Sequence, residues 1–213
     1  NVEWRFKALQ ELVTLYFNTG NSEMMVRKYN DMLKDMHLAT PNESTNAINN
    51  ILETVGASND DKVLAQVFEV TLEALKTANN ERLWFNTNLK LAKLYMNNSS
   101  NEKIHEIERI LNTLKGTCVL PDGNDDPSKA SSLLEVYAME MQFCRLTGDT
   151  IRMKTIYPKT LQLQAAISDP RIMGVIREEG GKMHMQQNQW DEAYNELNEA
   201  FRNFQQAGNN NKA

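Results

Sequence analysis

The stretch "IMGVIREEGGKMHMQQNQWDEAYNELNEAF", residues 172–201, decides the fold. Its apolar and small residues recur at three-to-four spacing, break at a short polar turn, and recur again, which is the pattern of two consecutive amphipathic helices. Gly180 and Gly181 sit inside the first of them, although each glycine in a helix interior costs about 1 kcal/mol relative to alanine. A phosphate-cradling glycine loop needs a strand before it and a helix after it, and neither glycine has that setting. Close approach of a neighbouring helix is the remaining reason for them. From Gly181, Trp190 follows nine residues on, Ala193 twelve and Ala200 nineteen, a tetratricopeptide-like spacing. Small residues at Gly181, Ala193 and Ala200 let antiparallel helices approach, and Trp190 is expected to fill the gap near the turn.

Working outward, the same layout returns in "LVTLYFNTGNSEMMVRKYNDML" (12–33), "LKLAKLYMNNSSNEKIHEIERIL" (89–111) and "AMEMQFCRLTGDTIRMKTIYPKTL" (138–161). Equivalent positions late in the first helices fall at Tyr16, about Val55, Tyr95, Cys144 and His184, at intervals of 39, 40, 49 and 40 residues. The long interval holds "GTCVLPDGNDDPSK", whose proline, glycines and acids mark residues 116–129 as a loop insertion. Helix starts are signalled by Thr40 with Pro41 and Glu43, Ser58 with Asp61, Asp126 with Pro127, and Asp169 with Pro170. Strand signals are scarce. The expected fold is all-α, an α-solenoid of about five tetratricopeptide-like helix pairs wound as a right-handed superhelix, forming a single helical-repeat domain over 1–213. Residues 206–213, ending in "AGNNNKA", read as a disordered tail.

A formal charge of −5 argues against a nucleic-acid binder that relies on a global positive field. Two cysteines, Cys118 and Cys144, make no disulfide framework, and no apolar run approaches the ~18 residues of a membrane span. These features fit a soluble intracellular protein, and the absence of an initial methionine suits a fragment of a longer chain.

Catalytic chemistry finds no foothold in this pattern. His37, His105 and His184 lack the spacing of a zinc site, and "IHEIE" (104–108) lacks the second histidine of a zincin. "PDGNDD" (121–126) misplaces the glycine of a calcium loop and has no closing glutamate. His184 is expected to be a satisfied interior histidine, His37 and His105 surface or boundary residues, Cys144 a core residue and Cys118 a loop residue. The sequons at Asn42, Asn97 and Asn98 read as chance matches, and the eleven methionines as adaptable core packing. Two basic clusters stand out. Arg5, Lys7, Arg27, Lys28 and Lys34 lie on the first helix pair, and Arg145, Arg152, Lys154 and Lys159 lie on the fourth with only Asp149 between them. An antiparallel pair turning near Asn21 brings Lys7 toward Lys34, away from Lys28.

Longer stretches carry a resemblance. "EWRFKAL" (3–9), "TLEALKTANNERLWFNTNLKLAKLY" (71–95), "LLEVYAMEMQ" (133–142), and "DPRIMGVIREEGGKMH" through "EAFRNF" (169–204) resemble the family of COP nine signalosome second subunits, in order and over essentially the whole chain. The paralogous proteasome-lid subunit shares the repeat layout but not "RLWF" or "IMGVIRE" in these positions, and an architectural role in that lid is the alternative reading. The polar stretch 97–108 and Asn101, where an aromatic commonly sits, depart from the family pattern.

The resemblance implies a non-catalytic scaffold and substrate-recognition arm, cytoplasmic and nuclear, that normally continues into a carboxy-terminal PCI domain beyond this chain. Implied partners are the other signalosome subunits and cullin-RING ubiquitin ligases, held through the cullin carboxy-terminal region and RING subunit for cullin deneddylation by a metalloprotease elsewhere in the complex. It implies no direct nucleic acid and no membrane. The family also uses inositol hexakisphosphate as a polyanionic bridge to the cullin, and the lysine of the "EWxFK" motif corresponds to Lys7. Arg5, Arg27 and Lys28 join it as candidate inositol-phosphate and cullin-binding residues through their place in the basic cluster. No intrinsic cofactor, metal or catalytic residue is expected.

Overall fold

The computed structural model describes residues 2–58, 60–97, 103–164 and 169–209. Asn101 and the last four residues of the expected tail lie outside them. Among the described residues the chain forms ten α-helices: α1 (Val2–Asn18), α2 (Ser22–Lys34), α3 (Pro41–Gly56), α4 (Asp61–Thr77), α5 (Glu81–Asn97), α6 (Ile104–Thr117), α7 (Ala130–Thr147), α8 (Thr150–Gln164), α9 (Pro170–Gln186) and α10 (Trp190–Gln206). Taken two at a time along the chain, they are the five helix pairs that the spacing predicts. Two compact units divide the molecule, Asn1–Leu94 and Tyr95–Ala213.

Within the first unit, Phe6 and Val13 of α1, Met25, Tyr29 and Met32 of α2, Ile48 and Val55 of α3, and Val67 and Phe68 of α4 are almost wholly buried. Spacings of three, four or seven, with Val67 and Phe68 adjacent, put them on one face of each helix, which is the face that burial stabilises. Tyr29 carries the one polar tip among these, and its hydroxyl meets Thr71 Oγ1 at 2.7 Å. Gly20, at φ +72° in the turn between α1 and α2, takes a backbone conformation that costs a residue with a Cβ. The cap of α3 follows the sequence reading: Thr40 Oγ1 accepts from the Glu43 N–H while the Glu43 carboxylate accepts from the Thr40 N–H. At α4 the reading is corrected by two residues. Asp60 rather than Ser58 caps it, accepting from the N–H groups of Lys62 and Val63 at 3.1 Å, because only that carboxylate stands one residue before the first turn.

The second unit is built around α7, whose Leu133, Leu134, Val136, Met141 and Cys144 are all buried as α6, α8 and α9 pack against it. The two glycines of the opening stretch serve two different neighbours. A Cβ on Gly180 would fall 2.5 Å from Tyr157 Cε2 of α8, and one on Gly181 would fall 2.7 Å from Leu197 Cγ of α10. Gly174, one and a half turns earlier, stands equally close to Phe204. Ala193 and Ala200 are buried as the tetratricopeptide-like spacing requires, but Trp190 is not: its side chain is 61% exposed at the first position of α10 and fills no gap. Leu197, which the spacing argument did not weigh, packs against Gly181 instead. Cys118 is likewise buried, as the capping residue that closes α6, and the segment after it folds back through a Val119–Asp125 bridge. Asp126 caps a short 3-10 turn (Pro127–Lys129) that leads into α7.

Candidate functional site

Three pieces of the first unit converge at the start of α1. Burial of Phe6 and Leu9 turns Arg5, Lys7 and Ala8 outward. The antiparallel run of α2 brings its end, and the 3-10 turn Asp35–Leu38 that follows, beside that surface: Arg5 Nε lies 2.8 Å from Asp35 Oδ2. This is the register expected from a pair turning near Asn21. Next, the capped start of α3 supplies Glu43, whose Oε1 lies 3.3 Å from Lys7 Nζ. The cap bonds from Thr40, with Lys7 adding to them, hold the Glu43 carboxyl below the usual carboxylate range.

The structure does not gather all four candidate residues. Arg5 and Lys7 share one end of the first pair, with Lys34 close by in sequence to Asp35. Arg27 and Lys28 sit in the middle of α2, about 10 Å along the helix axis from that end at 1.5 Å per residue. Lys28 pairs loosely with Asp31 at 3.7 Å, and Lys34 reaches the same carboxylate at 4.0 Å. Arg27 is exposed and enters no ion pair among the described residues. Arg5 and Lys7 keep 67% and 50% of their side-chain surface in solvent, so an incoming anion can draw their charges away from their acidic neighbours.

The two arginines of the second basic cluster are taken up by packing, while its Lys154 and Lys159 are exposed. Arg152 donates from Nε to Glu140 Oε1 at 2.8 Å and from an η nitrogen to Glu108 at 3.0 Å, while Lys115 Nζ reaches Glu140 at 2.8 Å. Arg145 Nε donates to Glu179 Oε2 at 2.8 Å. Both Glu140 and Glu179 are 1% exposed. Sequence reading missed these acids because they lie on other helices than the arginines they neutralise. Their signal was present: Glu140 is one of two acids in the mostly apolar run "LLEVYAMEMQFC", and Glu179 stands against the paired glycines.

Histidines and cysteines offer no competing chemistry. His184 is half-buried, with Nδ1 2.8 Å from Gln189 Oε1 and its ring edge-on to Tyr157, while His37 and His105 are exposed. Burial pushes the Cys144 thiol up to about 11 and raises that of Cys118, the opposite of an activated nucleophile. Among the described residues no group of three or more His, Cys, Asp or Glu side chains is arranged to hold a metal ion, and no helix is long and apolar enough to cross a membrane.

No family model matches the chain. Curated proteins do. It is 39% identical over 213 residues to the COP9 signalosome complex subunit 2 of Dictyostelium discoideum, covering 99% of this chain and 47% of that protein. Against the protein of the same name from Drosophila melanogaster it is 39% identical over 207 residues, 97% of this chain and 46% of the relative. The Schizosaccharomyces pombe counterpart is 34% identical over 215 residues, with 99% and 48% covered. The chain therefore spans about half the length of the curated relatives it matches.

Proposed function

We propose, from the premise that this chain is homologous over the segment it spans to COP9 signalosome complex subunit 2, that it is the helical-repeat arm of such a subunit and works by binding rather than by catalysis. The observation that carries this reading is the match itself, 39% identity over an alignment that covers 99% of this chain. The arm assembles with other signalosome subunits and docks a cullin-RING ubiquitin ligase, holding the cullin in register for deneddylation by a separate catalytic subunit, in cytoplasm and nucleus. Positioning of this kind accelerates a reaction without touching the bond that breaks.

Inositol hexakisphosphate bridges the arm to the cullin in this reading. Arg5 and Lys7 contribute first, because both leave the first turns of α1, on opposite flanks of the helix, with half or more of their side-chain surface in solvent, and Arg27 and Lys28 form a second basic point further along α2. Guanidinium and ammonium groups suit phosphate through charge-assisted hydrogen bonds. The test is isothermal titration of the chain with a cullin-RING complex, with and without inositol hexakisphosphate, for wild type beside Lys7→Glu. Binding that depends on the anion and is lost in the variant supports the docking arm. Identical affinities in all four titrations remove the anion from the mechanism, and no binding in any of them moves recognition out of this segment.

A further inference from the structure

The two cations at the start of α1 are each held by an acid, and the acids are fixed where the cations are not. Asp35 is 7% exposed, at the start of the 3-10 turn that closes the first helix pair. Glu43 is pinned through Oε2, which accepts from the Thr40 N–H at 3.2 Å and from the Thr40 hydroxyl at 2.8 Å, and this leaves Oε1 facing Lys7. Arg5 and Lys7, by contrast, are long side chains with half or more of their surface in solvent. An anion that draws them away leaves both carboxylates behind, close by and uncompensated.

We propose that Glu43 and Asp35 are selectivity determinants of the Arg5–Lys7 site, setting a charge threshold that a polyphosphate passes and a single phosphate does not. This rests on the anion-binding reading given above. A lone phosphate gains one cation, breaks that cation's ion pair and then sits beside a carboxylate that cannot move, so attraction and repulsion nearly cancel. A ligand bearing several phosphates on a rigid frame draws both long side chains from opposite flanks of α1 toward itself and directs its remaining charge away from the carboxylates. Effective concentration favours its second contact over the first.

Glu43→Gln isolates the effect, because glutamine is the other residue that completes a capping box and the start of α3 is kept. The 213-residue chain is titrated with inositol hexakisphosphate and with inorganic phosphate, as wild type, Glu43→Gln and Glu43→Gln with Lys7→Ala. Asp191→Asn, which removes an exposed acid from α10 in the second unit, controls for net charge. The expected result is a gain of about two- to fivefold in affinity for inositol hexakisphosphate in Glu43→Gln, the scale of one surface ion pair. A proportionally larger gain for inorganic phosphate, loss of both gains with Lys7→Ala, and no gain in Asp191→Asn complete the pattern. If wild type binds inositol hexakisphosphate and Glu43→Gln binds it no better, or if Asp191→Asn gains as much, the threshold is overturned and the anion site stands. If neither wild type nor Glu43→Gln binds the polyphosphate, both readings fall together.

Discussion

The first and fourth helix pairs carry basic clusters that look alike in sequence and end in opposite circumstances. On the fourth pair, Arg145 and Arg152 meet carboxylates that are 1% exposed, so their charge is spent on making Glu179 and Glu140 tolerable inside the packed second unit. On the first pair, Arg5 meets Asp35, itself 7% exposed, and Lys7 meets the more open Glu43, yet both cations keep half or more of their side-chain surface in solvent. A basic cluster is thus informative about binding only once its counter-charges are located. Carboxylates buried as fully as Glu140 and Glu179 need their cations, whereas an exposed pair such as Lys7–Glu43 contributes little to stability and can be exchanged for a ligand.

Breaking the comparison at its strongest point gives the largest effect. Glu140→Ala should cost about 3 kcal/mol, since it strands Lys115 and Arg152 beside a cavity, and urea denaturation reads that cost directly. A loss below about 1 kcal/mol would mean that the fourth cluster is no more structural than the first. One step smaller is Gly180→Ala in α9, next to Glu179. Crowding against Tyr157 costs about 1–3 kcal/mol and the better helix former returns about 1, leaving a net loss near 1 kcal/mol. A stabilised variant would show that the Tyr157 ring gives way and that the glycine is not required by packing.

Smaller again are the effects at the first cluster. Thr40→Ala removes the hydroxyl that caps α3 and positions Glu43, and a loss of about 1 kcal/mol is expected in thermal unfolding. The Glu43 carboxyl sharpens the comparison through pH. Its folded pKa is depressed, so the stability it contributes is complete above the ordinary carboxylate pKa and disappears as pH falls through the folded value. The difference in melting temperature between wild type and Glu43→Gln should therefore exist at neutral pH and vanish in acid. A difference that persists when the carboxyl is protonated would assign it to shape rather than charge. Smallest of all, Lys7→Glu should lower the melting temperature only slightly, the scale of one exposed ion pair lost, while altering anion binding.

How much was legible in advance differs by residue and for physical reasons. Thr40, Pro41 and Glu43 announce the start of α3, and Asp169 with Pro170 that of α9, because a cap is decided by groups two or three residues apart. The same logic slips at Ser58, where two capping residues compete within three positions and Asp60 wins. Gly180 and Gly181 showed that helices approach closely, yet not that one glycine faces α8 and the other α10. The repeat pattern puts Trp190 in the interior, whereas it is 61% exposed and Leu197 is what packs against Gly181. At the candidate site Lys7 was found through a resemblance, whereas its partner Glu43 was read only as a capping residue.

The sequence by itself determined that this chain is a run of paired helices, where most of them start and which of their faces are apolar. Those are properties of neighbours three and four residues apart, and they survive whatever the rest of the chain does. Only the tertiary structure decided which charges are spent and which remain for a ligand. Arg152 reaches Glu108 across 44 positions and Arg145 reaches Glu179 across 34, so no local pattern records the pairing. Electrostatic partnership is fixed by distance in space, and in a stack of helices that distance is set by packing, not by order along the chain.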